Sequence, residues 1–386
     1  MVRPLEGTTI VSIEQAVAAP FATRQLADLG ARVIKIERPG TGDFARDYDE
    51  TVRGMSSHFV WLNRSKESLA LDLKSELGRH AIHALLQKAD VFIHNLAPGA
   101  AERLGLGATA LRARHPQLVH VSISGYGTDG PYTHKKAYDL LVQCEAGLLS
   151  ITGSRAEPAK AGIPVADIAA GMYAYTGVLT ALLRRHRTGE GATLEVSMLE
   201  ALAEWMGFPM YFSHYGGTPP PRSGASHAAI APYGPFLCGD GERIFLAVQN
   251  EREWASFCRS VLGVPGLVDD PRFVTNSARV QNRDALSAQI EQVFGSQTAE
   301  SAVRRLEKAG IANARLRDLT GLVNHEQLAA RHRWREVDSP VGPLKAMLPP
   351  ATLSGEEPVM GPIPAPGEHT EKILAELGIA SSAGPR

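Results

Sequence analysis

Strand-like and helix-like patterns alternate through the first 200 residues, and this alternation constrains the fold more than any other feature of the chain. A buried strand pattern at Thr9–Ile13 precedes a helical pattern at 20–29 and a second strand pattern at Arg32–Glu37. Gly30 follows the helical pattern, at the position where helices commonly end on glycine. Strand, helix and strand close within about 30 residues, which is the length of a βαβ crossover.

The same alternation recurs along the chain and predicts an α/β fold. Further strands are expected at 69–73, 91–95, 118–122 and 192–197, and helices at 76–89, 100–114, 140–149 and from Asp167 to about 188. Antiparallel neighbours would not need these intervening helices, so the strands are expected to form a parallel sheet with right-handed crossovers. The sequence therefore predicts a Rossmann-like domain.

The length of 386 residues exceeds what one hydrophobic core usually serves, so we expect two domains. Residues 1–215 form the first part of the large Rossmann-like domain, and 216–222, rich in glycine and proline, read as a linker. A hairpin signal at 239–242 and several helical patterns predict a smaller α+β domain over 223–330. Residues 331–386 are expected to form a second linker and to return to the large domain.

Composition excludes several classes of function. The chain has 40 basic and 41 acidic residues, whereas nucleic-acid and membrane-surface proteins carry a cationic excess. Three cysteines without a Cys-x-x-Cys pair make a disulfide framework or a thiolate metal site unexpected. The first residues contain no apolar signal segment, and no run approaches about 18 consecutive apolar residues. We expect a cytoplasmic enzyme without nucleic-acid or membrane partners.

Common catalytic and cofactor motifs are missing. The loop at 14–20, after the first strand, has no glycine, although a dinucleotide fold needs glycines there so that the backbone approaches the pyrophosphate. The segment 122–127 lacks the first glycine of a nucleophile elbow, and 325–332 lacks the second histidine of a zinc motif. There is no Walker A lysine. We therefore expect neither a metal nor a resident cofactor.

Cationic or glycine-bearing loops follow several of the predicted strands. They lie at 38–43, at 63–66, at 95–99 together with Arg103, and at 134–136 before Tyr138. Open α/β sheets bind their ligands at the carboxyl ends of the strands. Any one of these loops is by itself an ordinary solvated loop, but four on one sheet edge indicate a ligand with several phosphates.

Asp167 is the only charged residue between Ala161 and Leu183. A carboxylate away from water costs several kcal/mol unless it is solvated, so such a residue caps a helix, pairs with a charge or does chemistry. Pro164 before it and helix formers after it place it at a helix start, which by itself favours an N-cap. The loops described above favour the catalytic alternative.

Those loops, followed by Asp167, resemble the class III CoA-transferase family, the CaiB/BaiF family that includes formyl-CoA and carnitine CoA-transferases. The resemblance runs from Pro4 to Thr370 and rests on long stretches: 29–43, 69–74, 89–99 and 188–191. It implies a Rossmann-like large domain that binds CoA, a smaller domain and an interlocked homodimer with the active site between subunits. It also implies that a coenzyme A thioester is a substrate and not a cofactor.

The resemblance assigns a role to individual residues. Asp167 matches the aspartate that becomes acylated, first as a mixed anhydride and then as a CoA thioester. Helix N–H groups are expected to hold its carboxylate ionised. Two sets of positions match residues around CoA: Arg38, Lys74, Asn95, Arg103 and Lys136 as contacts, and Ala16, Ala18, Leu71, Leu96 and Leu104 as the lining of its cleft.

Two departures from the family pattern bear on the substrate. The oxalate-accepting members have glutamine where this chain has Val17, and a run of glycines where it has 221–235. The racemases of the family use a histidine at the position of Tyr138, and a tyrosine with a pKa near 10 is a poor base for an α-proton. These departures favour a transferase whose substrates are not oxalate and formate.

The sequence therefore predicts transfer of CoA from a donor such as succinyl-CoA to a small carboxylic acid. Itaconate, mesaconate, malate and citramalate are the expected types, since Arg222 and His227 would hold a distal carboxylate. A surface linker arginine and an incidental histidine are the alternative reading of those two residues. The alternative functions are a 2-methylacyl-CoA racemase, an oxalate or formate CoA-transferase, and a CoA-binding protein without activity.

Overall fold

The computed structural model describes residues 3–380, which divide into two compact units. The large unit contains the described residues up to 146, 162–205 and those from 328 onward. The small unit contains 147–161 and 206–327. The sequence predicted a linker at 216–222 and gave no sign that 147–161 leaves the large domain.

The strands within the described residues, in chain order, are β1 Thr9–Ile13, β2 Arg32–Glu37, β3 Lys66–Ala70, β4 Val91–His94, β5 Val119–Ser124, β6 Ala192–Ser197, β7 Tyr233–Leu237, β8 Arg243–Ala247, β9 Ala312–Arg315, β10 Trp334–Val337 and β11 Leu344–Met347.

The helices, in the same order, are α1 Ala18–Asp28, α2 Ser57–Leu62, α3 Glu76–Leu86, α4 Ala100–Arg103, α5 Ala108–Arg114, α6 Asp139–Glu145, α7 Leu148–Ile151, α8 Val165–Thr188, α9 Met198–Trp205, α10 Gly207–Gly216, α11 Glu251–Ser256, α12 Asn276–Gln281, α13 Arg283–Phe294, α14 Ala299–Lys308, α15 Leu319–Val323, α16 Glu326–Ala330 and α17 Thr370–Glu376. Short 3-10 turns lie at Phe44–Asp47 and Pro265–Val268, and Phe257–Leu262 is π-helical.

The large unit is built on a parallel sheet in the order β3-β2-β1-β4-β5-β6. Val11 of β1 pairs with Ile34 of β2 on one side and with Phe92 of β4 on the other. Side chains alternate between the two faces, so Ile10 joins the core under α1 and α8, whereas Val11 joins the core under α3 and α17. The predicted Rossmann-like α/β fold is confirmed.

Helix α8 packs closely against α1. A Cβ added to Gly171 would lie 2.7 Å from the carbonyl oxygen of Ala18, so only glycine permits this approach. Among the described residues, α8 is the one helix long and apolar enough to cross a membrane by length and composition. Its row of small side chains packs on α1 and the sheet: Ala166, Ala169, Ala170, Ala174, Val178 and Ala181. This packing is that of a core helix.

Several predicted boundaries move for identifiable reasons. β3 begins at Lys66, three residues before the expected strand, because its pairing with β2 starts where Lys66 lies opposite Val33. The single helix expected at 100–114 is two helices, with Gly105 in the left-handed region between them. Helical structure is also interrupted at Met206, between α9 in the large unit and α10 in the small one.

The small unit has an antiparallel sheet in the order β7-β8-β9, whose hairpin turn lies where the sequence placed it. Aromatic residues fill its core, including Trp254, Phe257, Phe273 and Phe294. The segment 147–161 joins this unit through backbone pairing, since Gly224 N–H donates to the carbonyl of Gly153 at 2.8 Å. Only the folded chain shows this contact, because 71 residues separate the two glycines.

Candidate active site

The loop between β1 and α1 is held in a conformation that its sequence does not favour. Ala16 has φ +60°, in the left-handed region that residues other than glycine rarely adopt. Its N–H donates to Oδ1 of Asp43 at 3.1 Å. The amide of Asn95 binds Gln15 on both sides, accepting from its N–H at 2.9 Å and donating to its carbonyl at 2.8 Å. Asp43, from the segment after β2, and Asn95, directly after β4, thus fix the loop through their side chains.

A buried network of charges lies beneath this loop. Lys66 Nζ donates to Oε1 of Glu14 at 2.7 Å, and Lys35 Nζ donates to Oδ2 of Asp43 at 2.7 Å. Glu37 accepts from Arg46 through both carboxylate oxygens. The sequence hypothesis that 63–66 belongs to a phosphate-binding loop is wrong, because Lys66 is used inside this network.

Burial and ion pairing oppose one another in the network. Burial alone raises the pKa of Glu14, but Lys66 and Lys35 outweigh it and the pKa is lowered. In the same way burial opposes the charge on Lys35, whereas Asp43 and Glu14 raise its pKa. Burial lowers the pKa of Lys66 to about 8. Each acid of the network is thus matched by a base.

A cavity of about 460 Å³ opens above the network in the large unit. Its walls include five of the residues that the resemblance assigned to the CoA site, Arg38, Leu71, Lys74, Leu96 and Leu104, together with Gln15, Glu14 and Asp43. It lies at the carboxyl ends of β1–β4, where the strand order reverses between β1 and β4. The folded chain therefore brings these five distant residues together, in a space of the size that ligand sites have.

The remaining residues assigned to CoA are placed differently. Ala16 belongs to the left-handed loop, and Ala18 is buried at the first residue of α1. Arg103 and Lys136 are exposed and do not line this cavity. Asn95 uses its side-chain amide on Gln15, so it shapes the cleft wall.

The exposed cations differ from the buried ones in their partners. Within residues 3–380, the side chains of Arg38, Lys74, Arg103 and Lys136 form no salt bridge and donate no side-chain hydrogen bond, whereas Lys35 and Lys66 are fully paired. An unpaired arginine or lysine beside a cavity is suited to phosphate.

Asp167 is the third residue of α8 and is not its cap. Asp139, from the start of α6, accepts the N–H of Ala166 at 2.8 Å and that of Asp167 at 3.3 Å through Oδ1. The Asp167 carboxyl accepts no hydrogen bond from the described residues, and the helix has no capping side chain at Pro164. The N-cap alternative is therefore wrong.

The expectation that helix N–H groups hold Asp167 ionised is also wrong, because Asp139 occupies those groups. Burial raises the pKa of Asp167 to about 7, and the negative charge of Asp139 adds to the effect. Residues four apart on a helix share one face, so Asp167 lies on the same face as Gly171, toward the start of α1. The carboxyl is close enough to Tyr48 for its charge to raise the pKa of that phenol.

Tyr48 is part of this site, and the sequence gave no reason to select it. Burial raises its pKa to about 12, and the charges of Asp43 and Asp167 and the nearby Tyr138 contribute. Tyr138 itself is exposed and precedes α6. Val17 is buried at the start of α1. Tyr48 follows a 3-10 turn with no motif of its own, so only the tertiary structure reveals its position.

Arg222 and His227 lie in the small unit and are engaged there. Arg222 donates to the backbone carbonyls of Ser154 at 2.9 Å and Arg155 at 3.2 Å. The ring of His227 stacks on Tyr233, and its Nδ1 accepts the N–H of Ala229 at 3.1 Å. These contacts favour the structural reading of both residues over the carboxylate clamp.

The described residues were also compared with the side-chain arrangements that hold metal ions in proteins. Residues 3–380 contain no group of three or more His, Cys, Asp and Glu side chains arranged to hold a metal ion.

Comparisons with known proteins identify the family. The model of CoA-transferase family III matches residues 5–370. An acetyl-CoA:oxalate CoA-transferase of Acetobacter aceti is 36% identical, over 85% of each chain. A succinyl-CoA:glutarate CoA-transferase of Mus musculus is 32% identical, covering 97% of this chain and 86% of that one.

The fold has a similar counterpart among solved structures. A CaiB/BaiF family protein from Brucella suis superposes with a TM-score of 0.85 at 31% identity, over 98% of this chain and all of that one. The family model and these relatives show that the chain is a CoA-transferase. The chain belongs to CoA-transferase family III.

Proposed function

We propose that this CoA-transferase moves CoA from an acyl-CoA donor such as succinyl-CoA to a small dicarboxylic acid, with Asp167 as the nucleophile. One observation carries the proposal. The Asp167 carboxyl lies at the first turn of α8 without a hydrogen bond from the described residues, and its pKa is raised to about 7. Perturbed carboxyls of this kind are characteristic of catalytic sites.

The chemistry needs no other reactant than the two substrates. An Asp167 oxygen attacks the acyl-CoA carbonyl, the carbon–sulfur bond breaks, and a mixed anhydride and CoA thiolate result. The thiolate attacks the aspartyl carbonyl, which releases the donor acid and leaves an aspartyl-CoA thioester. The acceptor carboxylate then reverses the two steps, so charge and atoms balance without a metal, a redox cofactor or water.

CoA binding draws on the unpaired cations. Arg38 and Lys74 border the cavity and are free to meet phosphates, while Leu71, Leu96 and Leu104 offer apolar surface to the rest of the molecule. Arg103 and Lys136 are further cations for the same ligand. The buried network beneath contributes no net charge, so the charge of CoA is met by these exposed side chains.

Relatives support a dicarboxylate acceptor without naming it. Those from Mus musculus and Homo sapiens act on succinyl-CoA and glutarate, and one from Haloarcula hispanica, 29% identical, on succinyl-CoA and mesaconate. The Acetobacter aceti relative acts on oxalate. Val17 is apolar and buried at the position where the resemblance implies a glutamine in oxalate-accepting members, which favours an acceptor other than oxalate.

We also propose a homodimer. Helix α10 exposes Phe208, Tyr211, Phe212 and Tyr215, an apolar surface larger than isolated surface residues require. Sedimentation of serial dilutions tests this proposal. An interlocked dimer stays dimeric down to the lowest measurable concentration, and a reversible monomer–dimer equilibrium contradicts interlocking.

The nucleophile is tested by trapping. Incubation with succinyl-CoA and no acceptor leaves a covalent adduct on the peptide that contains residues 162–183, and hydroxylamine converts it to a hydroxamate. Asp167→Asn is the matched control and acquires no adduct. An adduct on another peptide, or none during turnover, contradicts the proposal.

Acceptor identity is tested with a panel. Succinyl-CoA, acetyl-CoA and formyl-CoA are each paired with oxalate, glutarate, mesaconate, itaconate, malate, citramalate and matched monocarboxylates. We expect the largest kcat/KM for succinyl-CoA with a four- or five-carbon dicarboxylate. Preference for oxalate with formyl-CoA or acetyl-CoA would support the oxalate alternative. Exchange of an α-proton with solvent and no transfer would identify a racemase.

A further inference from the structure

Asp139, the first residue of α6, accepts hydrogen bonds from the start of the Asp167 helix. Its Oδ1 accepts two backbone N–H groups of α8, those of Ala166 and Asp167. Its Oδ2 accepts the side-chain amide of Gln143 at 2.6 Å, and Gln143 is fully buried. An ionised carboxylate has only acceptors, so this set of three donors suits an aspartate well.

An aspartate in the first turn of a helix usually satisfies that turn itself. The first N–H groups of any helix lack partners within it, and acidic side chains near that end accept them. In this chain the groups of Ala166 and Asp167 are already taken. Asp167 is therefore spared the capping role that its own position invites, and its carboxyl faces the start of α1 without a partner among the described residues.

We propose that Asp139 is a positioning residue for the transfer reaction: it caps α8 in place of Asp167, which leaves the Asp167 carboxylate unbonded and directed at the acyl-CoA carbonyl. This inference rests on the proposed role of Asp167 as the nucleophile. Asp139 touches neither substrate nor reacting atoms and acts through Asp167.

The charge of Asp139 has a second effect on the reaction. Two carboxylates near each other repel, and acylation of Asp167 removes one of the two negative charges and transfers it to the CoA thiolate. The repulsion is thus present in the free enzyme and relieved in the anhydride and in the thioester. It favours the covalent intermediates over the free carboxylate and keeps that carboxylate basic.

Tyr48 is a second titratable group near Asp167, since the charge of Asp167 contributes to its raised pKa. Asp43 and Tyr138 act on Tyr48 in turn. Burial makes the largest contribution to the raised pKa of Asp167, and the charge of Asp139 makes the second. The pH dependence of adduct formation therefore reports on Asp139 in particular.

The test measures the rate of adduct formation on the peptide 162–183 against pH, with succinyl-CoA as the only substrate. Asp139→Asn keeps an oxygen for the two N–H groups and removes the charge. We expect the acidic midpoint, near 7 in the unaltered protein, to fall by about one pH unit. Asp139→Ala removes the cap as well, and the limiting rate falls about tenfold or more below that of Asp139→Asn.

A matched control lies in the small unit. Asp240 likewise caps a helix from outside, accepting the N–H of Ala299 at the start of α14 at 2.8 Å. Asp240→Asn makes the same chemical change and leaves both the midpoint and the limiting rate unchanged. If Asp139→Ala does not fold, the midpoint of Asp139→Asn decides alone.

The outcomes separate the two proposals. Absence of an adduct on 162–183 in the unaltered protein overturns the proposed nucleophile. An adduct that Asp139→Ala forms as fast as Asp139→Asn does overturns the capping role, and an unchanged acidic midpoint in Asp139→Asn overturns the effect of the charge. Both results leave the nucleophile standing. A lowered midpoint, with rescue of the alanine variant's rate by asparagine, supports both.

Discussion

Glu14 and Asp167 are two acids of the large unit that share little besides their carboxyl group. Glu14 accepts from Lys66 and Thr23, lies beside Lys35, and has a lowered pKa. Asp167 accepts no hydrogen bond from the described residues and has a pKa raised to about 7. The first carboxylate is stabilised by its surroundings and the second is not. The comparison indicates which acid holds the cavity in shape and which is available for reaction.

The largest expected effect is that of Asp167→Asn on turnover. An amide is not a nucleophile for a thioester, so transferase activity falls by about 1,000-fold or more, equivalent to about 4 kcal/mol in the barrier. Steady-state transfer from succinyl-CoA measures the loss. Asp167→Ala controls for slow deamidation of the asparagine. Retained turnover in the alanine variant would place the reactive group elsewhere.

Glu14→Gln is expected to lower the stability of the protein and not the rate of its chemical step. It leaves Lys66 and Lys35 buried with one charge fewer between them, and breaking a buried pair costs about 3–5 kcal/mol. Urea unfolding measures the loss, with the exposed Glu204→Gln as control, expected within about 0.5 kcal/mol of the unaltered protein. Equal stabilities of the two variants would contradict the structural role of the network.

The pH dependence of stability distinguishes the two acids by sign. The pKa of Asp167 is about 7 in the folded protein and near 3.8 when unfolded, so its ionisation opposes folding as pH rises from about 4 to 7. That difference in pKa corresponds to about 4 kcal/mol in the free energy of unfolding. Because water has partial access to the carboxyl, we expect a measured effect of roughly 1–3 kcal/mol.

Asp167→Asn is therefore more stable than the unaltered protein at pH 8, and the two converge near pH 4. Glu14 has the opposite sign, because its lowered pKa gives stability above its ordinary value of 4.5 that is lost as pH falls. Urea unfolding at several pH values measures both. A stability difference for Asp167→Asn that does not change with pH would mean that the Asp167 carboxyl is not destabilised in the folded state.

The smallest expected effect extends the comparison to cations. Arg38 is unpaired and borders the cavity, so Arg38→Ala raises the KM for acyl-CoA by about tenfold or more, the loss of one charge-assisted hydrogen bond. Arg222 is engaged by two carbonyls, so Arg222→Ala lowers stability and leaves that KM unchanged. Any effect of Arg222→Ala on the KM for the acceptor acid is expected to be equal for dicarboxylates and for monocarboxylates. A selective effect on dicarboxylates would restore the clamp hypothesis.

The site could be predicted from the sequence only in part. Loops after parallel strands must meet at one sheet edge, and this rule predicted that Arg38 and Leu96 would lie together. Leu71, Lys74 and Leu104, which line the same cavity, were implied by the resemblance to the CoA-transferases and not by that rule. The sequence could not show that Lys66 is buried while Lys74 is free, because both are lysines near the same strand. It could not select Tyr48 either, because Tyr48 belongs to no motif and only the folded chain brings it near Asp167.

The sequence by itself determined the parallel sheet, because the alternation of strand and helix patterns admits few other topologies, and it singled out Asp167, because one charge in an apolar segment needs an explanation. The sequence also placed that aspartate at a helix start, and from this we predicted that the N–H groups of the helix would hold it ionised. Only the tertiary structure shows that these groups have another acceptor. Asp139, 28 residues away, takes the N–H groups that Asp167 would have used, and which of two carboxyls caps a helix depends on how the chain packs.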